Sequence, residues 1–373
     1  MQKTLKVALV GAGMAGQAHA FGYRNATMAD DLRGLTLELD TVADVSESLA
    51  EDVRLRYGFR RATTDITEIA NDPEIDIISV ALPNHAHREV LEVLLASGKH
   101  VLTEKPLGVG VEDAEYLTAL SKENSGTHAV GFSYRRIPAL AQMAKIVREG
   151  QLGDIWHFES SYYSDHAAAT TDPFTWRFDR ATAGGGALSD LGAHAVDAIA
   201  FVISPIADVL SAHFQTSIPE RRDRAGEPHP VTNDDFASAL VRTESGATGS
   251  LLTSRVAYGQ PNRLALSVYG SKGSAHFDTQ HYNDLQVFQA GGDAATTGPS
   301  HVVMGPANPH YADVSSFRSR GVNTGYGEAF IAEIQDFIRA VLGLKELDTT
   351  FDNALHAMRV IDAMYAFEKH TVR

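Results

Sequence analysis

Cysteine is absent from this chain, so disulfides, thiolate metal sites and cysteine nucleophiles are all excluded. Basic residues are in deficit: the formal net charge of −15 argues against nucleic acid or an anionic membrane surface as partner. It leaves a neutral small molecule open. No apolar run reaches the roughly 18 residues of a membrane-spanning helix. Lys3 and Lys6 before Val7-Ala8-Leu9-Val10 imitate the start of a signal peptide. That apolar run is too short for an h-region and leads straight into spaced glycines, so a cytoplasmic protein is expected.

What is present is ordinary globular composition, 44% hydrophobic and 21% charged. At 373 residues the chain exceeds what one core usually organises, so two domains are expected. The first part alternates short β-rich runs (6–10, 37–43, 75–81, 99–103, 127–131) with helical segments (46–57, 86–97, 111–123), as a parallel sheet requires. After Gly131 the texture changes. A helix over 138–149 precedes β-rich runs near 155–163, 207–217, 235–242, 247–257, 263–270 and 274–288, with a hairpin turn at Ser245-Gly246. The expectation is an α/β domain over 1–131, then an α+β domain over 132–373 with a large, mostly antiparallel open sheet. One face of such a sheet needs a cover, so a homodimer or homotetramer built through it is expected. Residues 218–234, with Arg221-Arg222-Asp223-Arg224, read as a solvated loop. Residues 289–325 show little periodicity and read as a lid or an arm. Helices resume over 328–341 and 353–368.

Gly11-Ala12-Gly13-Met14-Ala15-Gly16 follows a strand and opens a helix, the context of a Rossmann dinucleotide loop. Gly11 serves the tight turn, Gly13 the approach of a pyrophosphate, and Gly16 close helix packing. N–H groups at the helix start, including those of Met14 and Ala15, then meet the phosphate charge. A carboxylate after the second strand must hold the adenosine ribose. Asp44 fits, provided that the first helix and its loop (17–34) are long; Asp40 is the alternative but falls inside the strand. With an aspartate there and no arginine beside it, NAD is favoured over NADP. Pro83-Asn84-His85-Ala86-His87 forms the next strand-to-helix turn, where Asn84 is a helix cap or, with Pro83 and His87, part of a cofactor-contacting loop. The two histidines splay apart on a helix start, so no metal is expected there.

Two further signals carry chemistry. Glu104-Lys105-Pro106 ends a strand of the same domain, and proline restricts the lysine before it. The Lys105–Pro106 bond is a candidate for the cis form. In the second domain, Gly184-Gly185-Gly186 leads to a helix starting near Ser189 that carries Asp190 and His194. Four residues apart, these two share a helix face. A histidine near a helix N-terminus suits a general base; a surface pair or a buried structural histidine are the competing readings. A metal would need a third and fourth ligand, which nothing nearby supplies.

The order of these motifs resembles the Gfo/Idh/MocA oxidoreductases over essentially the whole chain. It includes Gly131-Phe132-Ser133-Tyr134-Arg135-Arg136 at the domain junction and Asp172–Arg177 before the glycines. Pro173-Phe174-Thr175-Trp176-Arg177 is also similar to the branch with levoglucosan and glucoside-3-dehydrogenases. The resemblance implies an NAD(P)-dependent dehydrogenase of an inositol, sugar or sugar derivative. Lys105 would take the place of the family's catalytic lysine, and Asp190 and His194 that of its Asp-x-x-x-His pair. His194 would take the hydroxyl proton, Lys105 would stabilise the alkoxide, and Asp190 would orient a neighbouring hydroxyl or tune the histidine. Expected cofactor contacts also include Glu104, Lys105 and Arg177. Expected substrate contacts are Lys105, Arg135, Tyr163, Asp165, His166, Trp176, Asp190, His194 and Tyr326. Trp176, one of two tryptophans, competes as a core residue. Ala193 stands where the family often has serine. Two rival functions remain: a catalytically silent nucleotide-binding regulator, and an NAD-assisted glycoside hydrolase.

Overall fold

A computed structural model describes residues 3–293 and 295–371. By their contacts these form two units: one of residues 1–136, 312–317 and 324–355, the other of 137–311, 318–323 and 356–373.

The first unit contains strands β1 (Lys3–Val10), β2 (Leu35–Ala43), β3 (Arg61–Thr63), β4 (Ile77–Val80), β5 (His100–Glu104) and β6 (His128–Gly131). Between them lie helices α1 (Met14–Asn25), α2 (Glu47–Tyr57), α3 (Ile66–Asn71), α4 (Asn84–Ala96) and α5 (Val111–Glu123). All strand pairs are parallel, in the order β3-β2-β1-β4-β5-β6. The order reverses between β1 and β4, and the switch point lies at their carboxyl ends, where such sheets hold ligands. Val7 to Val10 are all buried, the continuous apolar run of a strand covered on both faces. The sequence reading finds every strand except β3, three residues too short to show a period. The long spacing from the glycines to Asp44 is taken up by α1 and two 3-10 turns, Ala26–Met28 and Asp30–Leu32.

The second unit begins with α6 (Pro138–Arg148). It continues with β7 (Ile155–Tyr163), α7 (Arg180–Ala183), α8 (Ala193–Val202), β8 (Ile206–Gln215), β9 (Glu220–Arg222) and β10 (Pro228–Pro230). Then come β11 (Phe236–Thr243), β12 (Thr248–Ser254), β13 (Arg263–Gly270), β14 (Gly273–Asp278), β15 (Asp284–Gln289) and β16 (Ser300–Val303). Eight strands form one sheet, ordered β16-β15-β14-β13-β7-β12-β11-β8. Every pairing is antiparallel except β7 with β12. The Ser245-Gly246 turn closes the β11–β12 hairpin, where Gly246 donates its N–H to Thr243 O. Helices α6 and α8 pack on the sheet and on each other. Along β11, Ala237, Ala239, Val241 and Thr243 are buried, while Leu240 and Arg242 are exposed.

Three sequence expectations change. Sequence reading draws one cut after residue 131, whereas α9 (Tyr311–Val314) is divided between the units and α10 (Tyr326–Val341) joins the first. The reason is packing: Ile334, Phe337 and Ile338 enter the apolar cluster of Val7, Leu9, Val42 and Leu102, each worth about 2 kcal/mol of burial. The presumed solvated loop 218–234 contains the β9–β10 pair, and Arg221 in it is buried. Its guanidinium donates to the carbonyls of Ala167, Ala169 and Asp172 and lies over the Phe178 ring, so a charge run conceals a loop anchor. Within 289–325, Ser300–Val303 adds an edge strand to the sheet. The last helix, α11, spans Phe351–Thr371. Among the described residues no helix is long and apolar enough to cross a membrane.

Candidate active site

The carboxyl ends of β1, β2, β4 and β5 carry the first unit's functional candidates. Gly11 adopts φ +98°, and a Cβ there would stand 2.2 Å from Ala81 O; the turn therefore requires glycine. Gly13 caps α1, has no side chain to satisfy the first helical N–H groups, and faces open space where a Cβ would be. Met14 beside it is exposed. An uncapped helix start with room before it fits a pyrophosphate. Asp44 turns toward this loop: Oδ2 accepts from Ala12 N–H at 2.8 Å and Oδ1 from Ser46 N–H at 2.9 Å. Asp40, the alternative, is buried and committed to Arg61 Nε at 2.9 Å and the Thr41 hydroxyl.

Pro83 is the cap residue of α4, and Asn84 is its first helical residue. His87 is fully buried, its Nδ1 2.7 Å from Pro106 O and its Nε2 3.0 Å from Leu82 O. It packs between two loops, with both ring nitrogens engaged there. Burial depresses its pKa, opposed by those carbonyls and Glu104. Lys105 follows β5, half-buried, and Lys105–Pro106 is cis. Glu104 Oε2 accepts the Lys105 N–H at 3.2 Å.

Arg135 and Tyr326, expected at the substrate, also lie in the first unit. Arg135 is buried, donates to Asp348 O and stands over the Phe132 ring. The guanidinium thus ties the segment after β6 to the segment before α11. Tyr326 opens α10, half-exposed, edge-on to Tyr134 and Phe330.

The second unit holds Tyr163, Asp165, His166, Trp176, Arg177, Asp190 and His194. The helix carrying the last two departs from expectation. Leu188–Gly192 is a π-helical turn, with regular α-helix from Ala193. Asp190 therefore lies in the π-helical turn and His194 in the first turn of the regular helix that follows it. Asp190 is half-exposed and His194 is buried. The Tyr162 and His194 ring centroids are 6.0 Å apart. The His166 ring is held below its ordinary pKa by desolvation, with Arg255 and Arg177 adding to the depression and the negative charges of Asp190 and Asp165 opposing it. His166 Nδ1 lies 2.8 Å from Ser164 Oγ. Asp165 accepts from Gly259 N–H. Tyr163 ends β7, its phenol pushed up by burial, against the charge of Arg263. Trp176 is half-buried with the Arg177 guanidinium 4.4 Å above its ring, so neither a plain core role nor isolation describes it.

Sequence reading misses what holds the backbone leading into this turn. Asp234, buried, takes the N–H groups of Gly186 and Leu188 at 2.9 and 2.8 Å, and its own carbonyl takes that of Ala187. A Cβ on Gly186 would fall 1.8 Å from Asp234 O; only glycine allows that approach. Asn233 donates to the carbonyls of Arg177 and Gly185, and Asp235 pairs with Arg255 at 2.8 Å in the interior. The one local signal was the polar run Asn233-Asp234-Asp235 next to a strand. Among the described residues, no three His, Asp or Glu side chains group as a metal site.

Comparison with known proteins accords with both units. Residues 5–132 match the model of an oxidoreductase family with an NAD-binding Rossmann fold, and residues 140–276 match the GFO/IDH/MocA C-terminal domain. Levoglucosan dehydrogenase of Pseudarthrobacter phenanthrenivorans is 31% identical, the alignment covering 97% of this chain and 95% of that protein. Inositol 2-dehydrogenase of Rhizobium meliloti is 27% identical over 96% of each. The solved structure of a levoglucosan dehydrogenase in complex with NADH and levoglucosan superposes with a TM-score of 0.94 at 31% identity, over 99% of this chain and 98% of that one.

Proposed function

The chain belongs to the Gfo/Idh/MocA family of NAD-binding oxidoreductases, and from that premise we propose that it oxidises one ring secondary alcohol of a sugar, anhydrosugar or inositol to the ketone. The observation that carries this is the agreement, over nearly its whole length, with a levoglucosan dehydrogenase. Bound NAD supplies the hydride acceptor, its nicotinamide. The glycine loop and the start of α1 hold the pyrophosphate, and Asp44 accepts from the adenosine ribose hydroxyls. A carboxylate at that position repels a 2′-phosphate, which favours NAD over NADP.

His194 takes the proton from the reacting hydroxyl as general base, which requires it neutral at the start of the cycle. Lys105, cationic, stabilises negative charge growing on that oxygen. Asp190, an acceptor-only carboxylate, orients a neighbouring hydroxyl. Trp176 and Arg177 offer an aromatic face and a cation to a polyhydroxylated ring. A second copy of the chain covers the open face of the large sheet, where Leu240 lies beside small and polar residues; a monomer in sedimentation velocity at micromolar concentration would refute that.

The direct test follows absorbance at 340 nm with NAD and a panel of levoglucosan, glucosides, free sugars and inositols. A ring polyol should be oxidised with kcat/KM at least about tenfold higher for NAD than NADP, a gap near 1.4 kcal/mol. No turnover across the panel, or equal use of both cofactors, would contradict the respective part of the reading.

A further inference from the structure

Lys105 is flanked on each side by a buried histidine from a different helix. On one side, Glu104 Oε1 lies 3.2 Å from His19 Nε2, and His19 Nδ1 lies 2.6 Å from the Ser79 hydroxyl on β4. An ionised Glu104 only accepts, so Nε2–H donates to it; a neutral ring then receives the Ser79 O–H at Nδ1, and an imidazolium donates to that hydroxyl. The other Glu104 oxygen holds the Lys105 N–H. His19 sits on α1, the helix that begins at the dinucleotide loop, and is fully buried.

On the other side, Pro106 O lies 2.7 Å from His87 Nδ1, while Leu82 O lies 3.0 Å from His87 Nε2. The ring bridges the loops after β4 and β5. A neutral imidazole donates to one of these carbonyls and an imidazolium to both. In either state the ring fills the space between them, because a fully buried side chain has nowhere else to go.

We infer that His19 and His87 are positioning residues for Lys105, fixing Glu104 before it and Pro106 after it so that the ammonium is presented in one place. The inference rests on the reading of Lys105 as the cation at the substrate oxygen. Neither histidine touches the reacting atoms. Their contribution passes through the lysine, whose misplacement by a fraction of an ångström weakens transition-state stabilisation more than binding.

A double-mutant cycle on the full-length enzyme tests this. Lys105→Met alone tests the underlying reading: unchanged kcat would remove Lys105 from the chemistry, and the inference with it. With that variant impaired, His87→Leu and His19→Leu should each lower kcat about 10- to 100-fold, while the Kd for NADH by fluorescence moves less than about threefold. In the Lys105→Met background the same substitutions should lower kcat less than about twofold, because the group they position is already gone. Losses that multiply in full would overturn the inference and leave the role of Lys105 standing. His19→Gln, which keeps a donor toward Glu104, should recover most of the kcat lost in His19→Leu. It provides the same cycle if the leucine variants do not fold, and failure of the glutamine to recover activity counts against the inference.

Discussion

The Tyr365 hydroxyl donates to Asp234 Oδ1 at 2.5 Å, tying the last helix to the carboxylate that holds the backbone leading into the π-helical turn of Asp190. Asp234 is buried and holds two backbone N–H groups besides. Burial and the neighbouring Asp234 raise the Tyr365 pKa well above its ordinary value, so the phenol remains a donor throughout the working pH range. Tyr365→Phe should cost about 1.5–3 kcal/mol, the range for a hydrogen bond to a charged group, and Asp234→Ala more, because it orphans several donors. Thermal melts followed by circular dichroism measure both. A Tyr365→Phe protein melting within about 1 °C of the parent would show the contact to be incidental.

The proposed chemistry separates two substitutions from binding. His194→Asn removes the base and should reduce kcat about 10²- to 10⁴-fold. Lys105→Met should reduce it about 10²- to 10³-fold. His194→Asn should leave NADH affinity near that of the parent, and Lys105→Met, at an expected cofactor contact, should weaken it far less than it lowers kcat. Steady-state kinetics with fluorescence titration decide the matter. A loss confined to KM would assign either residue to binding alone.

Acid stability has a specific source in the first unit. Burial alone would raise the Asp348 pKa, but hydrogen bonding and charge from Arg136, helped by Arg135 and Lys345, outweigh it and hold the carboxyl well below the usual carboxylate range. A folded-state pKa depressed below the unfolded value contributes stability that is present above about pH 4 and lost as pH falls through the folded value. Asp348→Asn should therefore melt a few degrees lower at pH 7. The gap should persist at pH 4 and close only in stronger acid. A gap already closed at pH 5 would contradict the assignment.

Local patterns were the legible part. The glycine loop, Asp44 and Glu104-Lys105-Pro106 could be read because each sits within a few residues of a strand end, and strand ends show in the apolar periodicity. The Asp190/His194 pair was visible for the same reason, as spacing on one helix. Its π-helical winding was not, nor was Asp234, which holds the N–H groups leading into it from 46 and 48 residues away. His87 looked like a cofactor ligand from its motif, yet its burial between Leu82 and Pro106 depends on how two loops meet. The partner of Arg135 is equally hidden: Asp348, which engages it, is 213 residues along the chain.

The sequence by itself determined the parallel dinucleotide-binding sheet and the mostly antiparallel second sheet, and its motifs carry the resemblance to the family. These follow from composition, periodicity and short motifs, all properties of neighbours in the chain. Only the tertiary structure decided which partners the buried polar residues meet: Asp40, His87, Arg135, Arg221 and Asp234 each engage a group distant in sequence. The physical reason is common to them. A buried charge or polar group must be satisfied where it lies, and the group that satisfies it is chosen by packing, which no local pattern records.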